Sequence, residues 1–103
     1  MNHTRIMSAI VNIAIQVIPL SREKELYDLV DLAIQVIQSA GIKYRVCPFE
    51  TVMEGEYDRL MEIVKECQQV CLDNGADQVL VNLKIQNRKK GDIRIRDKMR
   101  KYE

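Results

Sequence analysis

The stretch Cys47-Pro48-Phe49-Glu50-Thr51-Val52-Met53-Glu54-Gly55 lies between two copies of one pattern, in which a helix-period run is joined to an apolar run of strand character. Proline suits turns and is poor inside a central strand. Lys43 to Cys47 therefore reads as a short strand, Pro48 to Glu50 as a turn and Thr51 to Glu54 as the returning strand. The same nine residues gather a proline, one of five aromatics, a hydroxyl and two carboxylates beside a glycine. They form an inner hairpin and the first place to look for ligand-contacting groups.

Upstream, Ser8 to Leu20 has apolar residues at every odd position, Ala9, Val11, Ile13, Ile15 and Val17. The even positions are mixed and include Asn12, Ala14 and Gln16. A period of two with one dry face is a strand covered on one side. Pro19, lacking an N–H, is expected to end its ladder. Ser21 is placed to cap a helix whose apolar stripe runs Leu26, Leu29, Val30, Ala33, Ile34, Ile37 and Ala40. Gly41 stops that helix.

Downstream, Gly55 is expected to open a second helix with the stripe Tyr57, Leu60, Met61, Val64, Cys67 and Cys71, ended by Asn74-Gly75. Gln78 to Gln86 is a last strand, apolar at Val79, Val81, Leu83 and Ile85 and mixed at Asn82, Lys84 and Gln86. Two βαβ units joined by the hairpin make an α+β fold of ferredoxin-like βαββαβ type. Right-handed crossovers place both helices on one face of a four-stranded antiparallel sheet. The other face is left with Asn12, Ala14, Gln16, Asn82 and Lys84 among Ile10, Ile18 and Leu80. That surface is too apolar to stand open throughout. A homodimer or a dimer of dimers through the sheets is expected.

The chain of 103 residues holds one domain. Residues 1–7 read as a leader, 8–86 as the ferredoxin-like domain and 87–103 as a basic, helical C-terminal extension. The extension carries eight Lys/Arg and three Asp/Glu, whereas residues 1–86 carry eight and twelve. Asp92 is expected to cap its helix, with Ile95, Met99 and Tyr102 on one stripe. Basic residues there lack interleaved aromatics, and the whole chain has a net charge of +1. A solvated helix packing on its own subunit or an acidic neighbour is favoured over a nucleic-acid tail. No run of 18 apolar residues is present, and the first residues lack a signal-peptide pattern, so a cytoplasmic protein without a membrane partner is expected.

Catalytic machinery is not evident. His3 stands alone, so neither a Ser-His-Asp nor a Cys-His arrangement can form, and the four glycines are far apart. Cys47, Cys67 and Cys71 read as reduced thiols, with too few ligands for zinc. No cofactor is expected. The remaining chemistry is amides on the open face and carboxylates of the hairpin, a mixed donor and acceptor set suited to a flat polar heterocycle. Against this, Asn12, Gln16 and Asn82 could satisfy each other or a dimer partner, and Glu54 could be only a helix-terminus charge.

Ile15-Gln16-Val17-Ile18-Pro19-Leu20, the hairpin Cys47 to Gly55, and Asn74-Gly75-Ala76-Asp77 with Leu83-Lys84-Ile85 together resemble the small YkoF-like thiamine-binding proteins. The resemblance runs in order over roughly residues 9 to 100. It implies a ferredoxin-like protomer that assembles through its sheets and binds thiamine or its hydroxymethylpyrimidine portion without a chemical step. By motif it carries Gln16, Thr51 and Glu54 onto ligand positions, with Pro48 and Phe49 shaping the pocket. Asn82 departs from the small hydroxyl residue usual at its position. The expected ligand-binding set is Gln16, Phe49, Thr51, Glu54 and Asn82, with Tyr44 or Phe49 against the ring. The alternative is a homo-oligomeric interaction protein without a dedicated ligand.

Overall fold

The computed structural model describes residues 9–103. His3 and the rest of the expected leader 1–7 lie outside them. Strand β1 (Ile10–Leu20), helix α1 (Leu26–Gln38), β2 (Lys43–Val46), β3 (Thr51–Glu56), α2 (Tyr57–Asp73) and β4 (Gln78–Gln86) follow in order. A short helix α3 (Ile95–Met99) and a 3₁₀ turn (Arg100–Tyr102) complete the chain. The sheet order is β2-β3-β1-β4, antiparallel throughout. This is the βαββαβ topology that the two rhyming halves imply, with both helices on one face.

The odd positions of β1 face the helices, and Val11, Ile13 and Ile15 are buried there with Met53 of β3. Leu29, Ala33 and Ile37 of α1 and Leu60, Ile63, Val64, Cys67 and Cys71 of α2 close the core. Ile63 was not in the stripe read from the sequence, yet it is fully buried. The Cys67 and Cys71 thiols donate to the carbonyls of Ala33 and Leu29, both at 3.5 Å, and so tie α2 to α1. Burial, with Cys71 beside it, pushes the Cys67 thiol up to about 12.

Four local expectations need correction. Pro19 does not end the ladder: it is buried and pairs with Val79. Past Ile15 strand β1 has only β4 beside it, since β3 pairs no further than Thr51, and a strand with one neighbour tolerates a missing N–H. Ser21 does not cap α1. Its hydroxyl accepts from the Glu23 and Lys24 N–H groups and builds the preceding turn, while Glu25 is the N-cap and accepts from the Tyr27 N–H at 3.0 Å. Gly55 does not open α2. It lies in β3 opposite Val11, and a Cβ there would stand 3.1 Å from the Leu60 side chain, so the glycine lets α2 lie close to the sheet. The strand continues to Glu56, whose extended backbone (φ −68, ψ 142) makes it the N-cap.

The fourth correction concerns the basic extension. Asp92 does not cap α3, whose N-cap is Arg94. Instead the Asp92 carboxylate accepts from the Ile10 N–H at 2.9 Å. The Ile93 N–H donates to the Ile10 carbonyl, also at 2.9 Å, and the Ile93 side chain is 2% exposed. The segment thus lies as an arm across the sheet face opposite the helices. Of the expected stripe, Tyr102 is solvent-exposed.

Candidate functional site

Strand pairing decides which of the hairpin residues can act together. Asn12, Glu54 and Lys43 lie side by side on β1, β3 and β2, and Gln86 on β4 completes the row. Successive side chains alternate faces, so these residues share the face without helices, together with Ala14, Gln16, Val52 and Arg45. Thr51 pairs with Ile15 and Val46 and falls on the helix-covered face, where it is buried. It is therefore separated by the sheet from Gln16 and Glu54. Phe49 projects from the hairpin turn and is 82% exposed.

Gln16 and Asn82 are directly opposed on β1 and β4, and the Asn82 amide donates to Gln16 Oε1 at 3.1 Å. Next to them Lys84 reaches Glu50 at 3.3 Å. Glu54, opposite Asn12, stands four residues down the strand from Gln16. At ~3.3 Å per residue that is roughly 13 Å, too far for one aminopyrimidine ring to touch both groups in one protomer. The open face consequently carries two polar zones.

The arm organises the Glu54 zone. Asn12, 3% exposed, donates from Nδ2 to the Ile93 carbonyl at 2.9 Å. Glu54, 5% exposed, accepts from the Ile95 N–H at 2.8 Å on one oxygen and from Arg94 at 3.3 Å on the other. Arg94 also pairs with Asp92 at 2.9 Å, and the Glu54 bond, ahead of Asp92, pushes its guanidinium further up. Arg45 of the edge strand pairs with Glu103 at 2.7 Å, drawing the end of the arm toward β2.

Between the arm and strands β2 and β3 lies a cavity of about 460 Å³. Its polar lining includes Lys43, Arg45, Glu54, Arg94, Arg96 and Glu103, with Ile95 and Met99 of the arm as apolar lining. Ile42 and Tyr44 also border it from β2 and its approach, but their side chains point to the helix-covered face. The volume is within the range of small-molecule sites, and a mixture of apolar lining with a few convergent polar groups is their usual make-up. Of the expected ligand residues only Glu54 lines it; Gln16, Phe49, Thr51 and Asn82 do not. Tyr44, the other expected stacking ring, borders the cavity, but it pairs with Met53 and its ring is turned to the helix-covered face.

Sequence reasoning missed the arm's contribution: Arg94, Ile95, Arg96 and Met99, with Lys43 and Arg45 opposite. The available signal was the contrast between a basic extension and an acidic body, together with Ile93 as an apolar residue among charges. Among the described residues no group of three or more His, Cys, Asp or Glu is placed to hold a metal ion. No helix among them is long and apolar enough to cross a membrane.

A family model described as "Thiamine-binding protein" matches residues 13–103. A UPF0045 protein of Clostridium perfringens is 42% identical over 91 residues, covering 88% of this chain and 95% of its own length. A second, from Methanothermobacter thermautotrophicus, is 34% identical over 85 residues, covering 81% and 86%. Among solved structures, a DUF77 domain of unknown function from Bacillus cereus superposes with a TM-score of 0.90 at 40% identity, covering 93% of this chain and 92% of that one. A candidate thiamine biosynthesis/salvage protein of Thermotoga maritima gives 0.82 at 34% identity, with 91% and 99% covered.

Proposed function

Because the chain belongs to the thiamine-binding protein family, we propose that it is a non-enzymatic binding protein for thiamine or its hydroxymethylpyrimidine portion, acting in thiamine supply, transport or sensing. The observation that carries this reading is Glu54, a buried carboxylate that lines a ligand-sized cavity. Each of its oxygens holds one donor, from Ile95 or Arg94, and an ionised carboxylate has about four acceptor sites. Capacity is left for the amino edge of a pyrimidine, with the Ile95 and Met99 side chains of the arm as the apolar contacts beside it. In this pose Glu54 reads the donor edge and the arm supplies the floor of the pocket.

Gln16 and Asn82 take a different part in the proposal. They sit beside Ile18 and Leu80, and a second copy of the chain would cover this end, so that their amides meet either the partner or the distal portion of a longer ligand. Thr51 and Phe49 would act by shaping the hairpin and not by touching the pyrimidine. Reduced, hydrogen-bonded Cys67 and Cys71 suit a reducing compartment, which supports a cytoplasmic placement.

Calorimetric titration with thiamine, hydroxymethylpyrimidine and a purine control tests the function. Saturable heat with the first two, and none with the purine, is expected. Glu54→Gln keeps the shape but removes the charge, and is expected to weaken binding about tenfold, the loss of one charge-assisted hydrogen bond. Absence of both heat and thermal shift with every pyrimidine would sink the reading.

A further inference from the structure

We infer that the cavity takes its ligand in phosphorylated form, with Lys43 and Arg96 as the phosphate-binding groups. This rests on the pyrimidine-binding reading above and names the charge state of the ligand. Four cationic side chains, Lys43, Arg45, Arg94 and Arg96, converge on the cavity against two carboxylates, Glu54 and Glu103. Both carboxylates are already engaged: Glu54 with Arg94 and the Ile95 N–H, Glu103 with Arg45 at 2.7 Å. Lys43 enters no ion pair among the described residues. Arg96 has only its sequence neighbour Asp97 at 3.6 Å, with both side chains well exposed, a contact that contributes little.

The surplus is therefore positive, and it has consequences for ligand choice. A thiazolium cation entering alone would meet repulsion, because Arg94 already neutralises the one buried carboxylate. A phosphate monoester reverses the sign: its oxygens accept charge-assisted hydrogen bonds from an ammonium and a guanidinium. Lys43 is the neighbour of Glu54 across β2 and β3, so a heterocycle held at Glu54 leaves its phosphate beside Lys43. Arg96, two residues beyond Arg94 on the arm, faces the same cavity from the other side. The preferred ligand is thus a phosphorylated aminopyrimidine, or thiamine carrying a phosphate, with the bare cation bound more weakly.

The test is a calorimetric titration of the full chain at low and at physiological salt. The titrants are hydroxymethylpyrimidine, its phosphate monoester, thiamine, thiamine monophosphate and inorganic phosphate. Each phosphorylated ligand is expected to bind at least about tenfold more tightly than its parent at low salt, with the advantage shrinking as salt rises. In a Lys43→Ala/Arg96→Ala double variant, verified as folded by its circular dichroism, the ratio of phosphorylated to parent affinity should fall toward one. A ratio near one in the unaltered protein overturns the inference and leaves the pyrimidine reading standing. A ratio that survives the double variant also overturns it, as does inorganic phosphate binding as tightly as the esters. If no titrant binds, the functional reading itself fails and this inference falls with it.

Discussion

The two ends of the sheet face without helices start from similar material and finish differently. At one end Asn12, Ala14 and Glu54 are buried; at the other Gln16, Ile18, Leu80 and Asn82 are not, and Leu80 is 54% exposed. Both ends mix amides with aliphatic side chains on antiparallel strands. The difference is four residues of arm, Asp92 to Ile95, whose backbone and side-chain groups meet Ile10, Asn12 and Glu54. Most of the polar groups covered there are paired in the process: the Asn12 amide nitrogen and both Glu54 oxygens find partners on the arm, and the Asn12 amide oxygen alone is left without one. Alternation along a strand tells which side chains share a face, but only the rest of the chain decides whether that face is closed.

The contrast can be broken most severely at Ile93. Its side chain is buried under the arm, and Ile93→Ala removes contacts worth roughly 2–5 kcal/mol in a closed core. Ile93 lies outside the main core cluster, so the lower end of that range, about 2 kcal/mol, is expected. Denaturant unfolding should show the loss, and trypsin should cut faster at Arg88, Lys89 and Lys90. An unfolding midpoint and a cleavage rate both unchanged would mean that the arm adds nothing to this end.

A smaller effect is expected at the bare end. Leu80→Lys alters an exposed side chain and should change protomer stability by no more than about 0.5 kcal/mol. Its larger consequence is for the proposed contact between two copies at this end, since a charge placed centrally in an apolar contact disfavours it. Light scattering should show a lower mass than for the unaltered protein, with the far-ultraviolet circular dichroism unchanged. An identical mass would mean that this end is not a contact between copies.

These two positions also mark what could be read from the chain and what could not. The strands and helices were legible because burial imposes periods of two and of three to four, and Val11-Ile13-Ile15 and Leu29-Ala33-Ile37 keep those periods cleanly. That Gln16 and Asn82 share the open face follows from the period of two, whereas their direct pairing comes from the β1–β4 register. Ile93 has no period to announce it, being one apolar residue among charges in a stretch too short for any repeat. Its partners Ile10 and Asn12 lie more than eighty positions away, so no local pattern links them. Glu54 was legible as a chemically unusual carboxylate of the hairpin. That its oxygens meet Arg94 and the Ile95 N–H was not, because the partners come from beyond the last strand. Thr51 shows a different limit: one position along a strand moves a side chain through the sheet, so membership of a motif does not place a residue in a pocket.

The finest difference between the two ends is their response to acid. The Ile10 N–H bond, reinforced by Arg94 and Arg88, holds the Asp92 carboxyl below the usual carboxylate range. A carboxyl whose folded value is depressed binds its proton more readily in the released chain, at about 3.9. Its contribution is therefore complete above about pH 4 and is lost as pH falls through the lower, folded value. Arm and sheet should remain locked at neutral pH and loosen at Ile10 only in that acidic window. The amide resonance of Ile10 is expected to follow this step, while that of Leu80, with no arm against it, does not. Glu56 pairs with Ile10 across β1 and β3 and would report through the same amide, so the substitution Asp92→Asn is needed to separate them. If the step at Ile10 persists unchanged in that variant, Asp92 is not the group that fastens the arm, and the closed end owes its closure to Ile93, Asn12 and Glu54.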